Sequence, residues 1–145
     1  MNVKAPFELC RLCFPYLRKS AGASVINISS IGGLSPETGL GIYSVSKAAL
    51  ISLSKVFAKE WGEAKIRVNV ICPGLIQTKF SEALWTNDKI MSMIMKHLAI
   101  KRAGTSEEIG AMALFLASSA SSYSCLLYTS PSPRDRTRSR MPSSA

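Results

Sequence analysis

Along residues 3–19 the apolar side chains Phe7, Cys10, Leu12, Cys13, Tyr16 and Leu17 recur at the spacing of one helix face, and Ser20–Gly22 closes the pattern. Pro15 lies inside that stretch, lacks the amide a helix needs, and predicts a kink or an early end. Ser24-Val25-Ile26-Asn27-Ile28-Ser29 abandons helical spacing for a short β-branched run, as expected of a strand buried on both faces. A Gly- and Pro-bearing loop follows from Gly32 to Gly41. Residues 42–62 return to a helical pattern, with Ala48, Leu50, Ile51, Leu53, Val56, Phe57 and Trp61 as the apolar content and an end near Gly62. Ile66 to Ile71 reads as a second buried strand, stopped by Cys72-Pro73-Gly74. Residues 80–98 predict one or two helices carrying Leu84, Trp85, Met91, Met93, Ile94 and Met95. A last helix starts at a cap on Thr105 or Ser106, with Glu107 and Glu108 where the helix dipole favours acids. It buries Ile109, Met112, Ala113, Phe115 and Leu116 through about Ser118.

Helix, strand, helix, strand, helix, helix is an α/β order, and it predicts right-handed crossovers and a parallel sheet covered on both faces. Two strands alone would leave long apolar edges and too little cover for the helices, so a larger parallel sheet is expected, of which part is missing here. From about Ser124 the periodicity ends, and a segment alternating Ser, Pro and Arg follows. Residues 1–123 are therefore expected to form part of one domain, and residues 124–145 a disordered tail of non-native sequence.

Composition changes this picture little. A hydrophobic share of 47% gives 145 residues enough material for a core. No apolar run approaches the roughly 18 residues of a membrane span. Lys4, Glu8 and Arg11 interrupt the first residues too early for a secretory signal, so a soluble, cytoplasmic protein without a membrane partner is expected. The net charge of +9 raises the question of nucleic acid. Arg134, Arg136, Arg138 and Arg140 lie in the tail, and the remaining excess is scattered without a basic run, so no nucleic-acid partner is expected. Cys10 and Cys13 form a C-x-x-C, yet neither Cys72 nor Cys125 supplies a second pair and His97 stands alone. No metal site is expected, and the two thiols are read as packing on one helix face.

Tyr43 and Lys47 change the picture most. At i and i+4 of the long helix their side chains emerge one above the other. A free tyrosine is a poor acid–base catalyst at neutral pH. An ammonium about 4 Å away stabilises a phenolate by roughly 4 kcal/mol at an effective dielectric near 20, before desolvation offsets part of it. Such a pair can donate and accept a proton near neutrality. By itself the spacing is a weak signal in a chain with four tyrosines. Ser30 strengthens it, because it lies just past the carboxyl end of the first strand, where parallel α/β sheets hold ligands. Past the end of the second strand, residues 73–78 add a tight turn, backbone groups and a hydroxyl at the same rim.

Asn27-Ile28-Ser29-Ser30, then Tyr43-Ser44-Val45-Ser46-Lys47-Ala48-Ala49, then Arg67-Val68-Asn69-Val70-Ile71-Cys72-Pro73-Gly74 resemble, in this order, the short-chain dehydrogenase/reductase family over roughly residues 1–123. The resemblance implies a Rossmann-type doubly wound parallel sheet, here truncated to a C-terminal part, with its first strands and its last strand missing. The family's Thr-Gly-x-x-x-Gly-x-Gly turn, which cradles the pyrophosphate, has no counterpart. It also implies an NAD(P)(H)-dependent oxidoreductase interconverting a carbonyl and an alcohol, with NADP slightly favoured over NAD. Ser30, Tyr43 and Lys47 match the catalytic trio, and Asn2 matches the asparagine of its water relay. Tyr43, Lys47, Pro73, Gly74, Ile76 and Thr78 match cofactor-contacting positions. Leu84, Trp85, Met91 and Met95 are expected to form a lid over a small apolar carbonyl or alcohol. Residues 40–43 and 80–85 look like the branch of peroxisomal carbonyl/retinol reductases and their bacterial relatives, which keeps a peroxisomal location open. A homodimer or homotetramer through residues 3–19 and 44–62 is implied for the whole protein, and the chain alone is expected to be inactive. The competing reading is a non-catalytic dimerisation remnant. A nucleotide-sugar epimerase shares Tyr-x-x-x-Lys but is opposed by the Pro73-Gly74 turn.

Overall fold

A computed structural model describes residues 2–36 and 38–126, without the side chain of His97. Most of the expected tail, residues 127–145, lies outside the described residues. Two strands, β1 (Ser24–Ile28) and β2 (Arg67–Ile71), form a parallel pair in which Ser24 faces Arg67 and Ile28 faces Ile71. The helix α1 (Lys4–Leu17) precedes β1, and α2 (Ile42–Glu60) makes the crossover to β2. Beyond β2 come α3 (Glu82–Trp85), α4 (Asp88–His97) and α5 (Ser106–Ala117). This is the expected α/β order, with a parallel sheet of two strands among the described residues.

The core lies where α1, α2 and β2 meet. Cys10, Phe57, Ala58, Trp61, Ile66 and Val68 are buried there together. Trp61 carries most of the aromatic packing, with ring centroids 4.3 Å from Phe57 and 4.9 Å from Phe14. Cys10 is therefore a core residue, and burial beside Cys13 pushes its thiol up. Two polar ties fix the layers. Asn27 Nδ2 donates to Ser54 Oγ at 2.8 Å, joining β1 to α2. The Arg67 guanidinium donates to the carbonyls of Leu116 and Ser118 and to Ser121 Oγ, joining β2 to the end of α5.

Three expectations need adjustment. β1 is half-buried from Ser24 to Asn27 and exposed at Ile28, not buried on both faces, because no described strand covers its outer edge. α1 continues through Pro15 to Leu17, because a proline in the last turn sacrifices a single helical bond. Of the one or two helices expected over residues 80–98 the structure has two: Asn87 accepts from the amides of Lys89 and Ile90, and this cap starts α4 afresh after α3. Order extends past residue 123, since Leu126 is buried in the core and Asn69 Nδ2 donates to the Ser124 carbonyl at 2.8 Å. Among the described residues no helix is long and apolar enough to cross a membrane.

Candidate active site

Because β1 and β2 pair in register to their last residues, the chain leaves both at one rim. The Ser29 amide donates to the Ile71 carbonyl at 2.8 Å, and the Ile31 amide to the Pro73 carbonyl at 2.9 Å. Ser30 and the Pro73–Gly74 turn are thereby tied side by side. Ser30 is extended and half-buried, and its Oγ accepts from the Gly32 amide at 3.1 Å, capping a tight 3-10 turn at Ile31–Gly33. That bond uses a lone pair and leaves the hydroxyl proton to be donated to a ligand oxygen.

The start of α2 is pressed onto this turn. The Ser29 hydroxyl donates to the Lys47 carbonyl at 2.8 Å. A Cβ on Gly33 would stand 2.7 Å from the Lys47 carbonyl carbon and 2.9 Å from the Ala48 nitrogen, so only glycine permits the approach. Gly33→Ala is expected to push α2 off the rim and to destabilise the fold by about 1–3 kcal/mol, the usual size of an overpacking strain. Denaturant unfolding checks this, and an unchanged midpoint would mean that turn and helix do not pack this closely.

Held in this way, Tyr43 and Lys47 face the rim. Lys47 Nζ donates to the Ile28 carbonyl at 2.9 Å and lies over the Tyr43 ring, 5.7 Å from its centroid. The ammonium thus stands above the Tyr43 ring and is bonded to the end of β1. Asn2 Nδ2 donates to Ser46 Oγ at 3.1 Å, and Ser46 donates to the Tyr43 carbonyl at 2.7 Å. Asn2, Ile42, Tyr43 and Ser46 line an open depression of about 360 Å³. Asn2 thus reaches the Tyr43 backbone through Ser46, while Lys47 is engaged on the strand side. Phe80, 88% exposed, stacks on Tyr43 with centroids 6.4 Å apart.

The second half of the rim is residues 73–78. Ile76 faces Gly104 across a short parallel bridge. The Thr78 hydroxyl lies 2.9 Å from Ser81 Oγ and caps the following turn. Trp85 Nε1 donates to the Thr78 carbonyl at 3.1 Å, which ties α3 to this turn. Of the other expected lid residues, Met91 is buried, Met95 half-buried and Leu84 exposed. Gly74 is exposed with open space where a side chain would stand. Cys72 lies close by, and burial pushes its thiol up against the opposing pull of the Ser29 hydroxyl, the Ser30 backbone, Lys47 and Lys55. A thiol so held stays protonated and is no nucleophile at neutral pH. An ammonium, a phenol, two hydroxyls and an open glycine turn at one rim suit the ribose hydroxyls and carboxamide of a nicotinamide nucleotide. Among the described residues no three His, Cys, Asp or Glu side chains gather as a metal site.

Ser30 lies beside the Pro73–Gly74 turn, Lys47 joins the end of β1 to the Tyr43 ring, and Asn2 lines the depression next to Tyr43. The sequence reading passed over Ser29, Ser46 and Phe80. Ser46 is three residues from Tyr43 on the same helix and could have been found by spacing, whereas Phe80 follows no apolar period and gave no such signal.

A family profile described as enoyl-(acyl carrier protein) reductase matches residues 1–125. Dehydrogenase/reductase SDR family member 4 of Oryctolagus cuniculus is 42% identical over 123 residues, which are 85% of this chain and 47% of that relative. A structure from Agrobacterium tumefaciens with bound NADP aligns with a TM-score of 0.81 at 32% identity, covering 86% of this chain and 51% of that one. A 4-hydroxyisoleucine dehydrogenase complexed with NADH aligns with a TM-score of 0.80 at 34% identity, with the same 86% and 51% coverage. The chain therefore spans about half the length of the relatives it matches.

Proposed function

The chain belongs to the short-chain dehydrogenase/reductase family, and from that premise we propose that it is the part of an NAD(P)(H)-dependent oxidoreductase that carries the proton-transfer machinery. The reaction is the interconversion of a small apolar carbonyl compound and its alcohol. The observation that carries this reading is the Lys47 ammonium over the Tyr43 ring, at the rim where Ser30 presents its hydroxyl. In the reducing direction Ser30 donates a hydrogen bond to the carbonyl oxygen and orients it. Tyr43 gives its hydroxyl proton to the alkoxide oxygen, and Lys47 stabilises the phenolate left behind. Asn2, beside the Tyr43 backbone, belongs to the path by which that proton is replaced. Lys47, Tyr43, Pro73, Gly74, Ile76 and Thr78 would hold the nicotinamide end of the cofactor, which when bound supplies or accepts the hydride. Relatives were solved with NADP and with NADH, and the slight preference for NADP rests on the family resemblance alone.

Leu84, Trp85, Met91 and Met95 supply an apolar lid, hence the apolar substrate. Leu9, Leu12 and Tyr16 on α1 and Val45 and Val56 on α2 are exposed, which supports a homodimer or homotetramer through these two helices. A cytoplasmic location completes the reading.

The test is a chimera in which this chain replaces the matching 123 residues of the Oryctolagus cuniculus relative. It should oxidise NADPH or NADH when given apolar ketones, and the 145-residue chain assayed alone should not. A chimera that folds and binds the cofactor yet turns over no carbonyl compound sinks the proposal.

A further inference from the structure

Glu108, in the first turn of α5, accepts three hydrogen bonds from two groups. Its two oxygens accept from the Arg102 guanidinium at 2.5 and 2.8 Å, and Oε2 also accepts from the Thr105 amide at 2.8 Å. Arg102 donates in addition to the Ala103 carbonyl at 3.1 Å. The segment from Arg102 to Thr105 is thus bound at both ends to one carboxylate, and Gly104 sits between those ends. Gly104 is also the residue that meets the far side of the Gly74–Thr78 turn. Its amide donates to the Leu75 carbonyl at 2.9 Å and its carbonyl accepts from the Gln77 amide at 2.9 Å. A Cβ on Gly104 would stand 2.7 Å from Ile76 Cδ1, so the Ile76 side chain lies directly over Gly104. From its other side the same turn is tied to the lid, by the Ser81 hydroxyl on the Ile76 carbonyl and the Trp85 indole on the Thr78 carbonyl.

Global stability does not explain this arrangement. The side chains of Arg102 and Glu108 are 53% and 47% exposed, and exposed ion pairs contribute little to folding. What a bidentate, charge-assisted pair does supply is geometry. The carboxylate also stays charged. The Arg102 guanidinium and the Thr105 amide hold the Glu108 carboxyl at about 2, below its ordinary 4.5. Because the folded carboxyl is the stronger acid, the pairing is fully present above the ordinary carboxylate range and is lost only as pH falls toward 2.

We propose that Arg102 and Glu108 are positioning residues for hydride transfer: their bidentate pair fixes Gly104 against Ile76 and so holds the Gly74–Thr78 turn in place beside Ser30 at the rim. The proposal rests on the dehydrogenase reading above for the identity of what the turn receives. Glu108→Gln, Arg102→Ala and the double variant, made in the chimera, test it by two readouts. Amide exchange at Gly104 and Gln77 should quicken about tenfold, the worth of one hydrogen bond to a charged group, while exchange in β1 and β2 stays the same. KM for the cofactor should rise by a similar factor with kcat changing less, and the double variant should be no worse than either single one. Quickened exchange throughout the strands would overturn the proposal in favour of a general stabilising role. Unchanged exchange or an unchanged cofactor KM would overturn it in favour of an idle surface pair. A parent chimera without any turnover would instead defeat the dehydrogenase reading, and local exchange at Gly104 and Gln77 would still decide whether the pair holds the turn.

Discussion

Tyr43→Phe in the chimera is expected to lower kcat by about two orders of magnitude or more while leaving cofactor binding nearly intact, since a positioned general acid typically contributes a factor of about 10² to 10⁴. The substitution removes one oxygen and its proton and nothing else. The ring that Phe80 stacks on and that Lys47 overlies remains, so the packing at 6.4 Å and the cation–π contact at 5.7 Å persist. Lys47 keeps its bond to the Ile28 carbonyl, so the end of β1 and the turn after it stay in place. With geometry retained, any loss must come from the proton no longer delivered to the alkoxide. A fall in kcat of that size corresponds to about 3 kcal/mol or more of transition-state stabilisation. Steady-state kinetics together with a cofactor titration separate the terms, because a transition-state interaction shows in kcat and a ground-state one in KM. A variant retaining more than about a tenth of parental kcat would make Tyr43 a packing residue.

Much of this rim is legible in the chain itself, because its parts are local. Tyr43 and Lys47 share a helix face by spacing alone, and Thr105 with Glu108 carries the helix-start signature that the structure realises as a reciprocal cap. Strand ends are equally plain where Ile28 gives way to Ser29–Ser30 and Ile71 to Cys72–Pro73, and parallel pairing in register then brings the two turns together. What the chain does not announce depends on partners distant in sequence. Whether β1 is buried on both faces is decided by what lies beyond its outer edge, not by Val25 and Ile26. Leu126 looks like the start of a featureless tail until Phe57, Trp61 and Val68 are seen to surround the space it fills. Phe80 belongs to no apolar period, and its stacking on Tyr43 arises only once the turn from Thr78 to Ser81 has aimed it. Arg102 is the clearest case. Six residues before Glu108 it has no helical relation to it, and only the extended run through Gly104 lets the guanidinium fold back onto the carboxylate.

Lys47→Met is expected to lower kcat and to raise the cofactor KM together, with little change in stability. Methionine keeps much of the unbranched bulk and loses the charge. Stability should hardly move, because the bond given up is to the Ile28 carbonyl at the exposed end of β1, where water can replace the ammonium. Catalysis should suffer, because an uncompensated phenolate forms less readily in the partly desolvated rim, and a loss of about 10-fold to 10³-fold in kcat is expected from one missing electrostatic stabiliser. Cofactor affinity should suffer separately, by about tenfold, through the loss of one charge-assisted hydrogen bond to the ribose. The decisive measurement is a double-mutant cycle with Tyr43→Phe. If Lys47 acts on kcat through the Tyr43 hydroxyl, then Lys47→Met added to Tyr43→Phe should lower kcat by no more than about threefold further, since the group it serves is already gone. The rise in cofactor KM should persist undiminished in the double variant, because the ribose contact does not pass through the phenol. Full additivity in kcat would mean that Lys47 and Tyr43 act independently. An unchanged kcat and cofactor KM, with only the unfolding midpoint lowered, would leave Lys47 as a lysine that ties α2 to the end of β1 and nothing more.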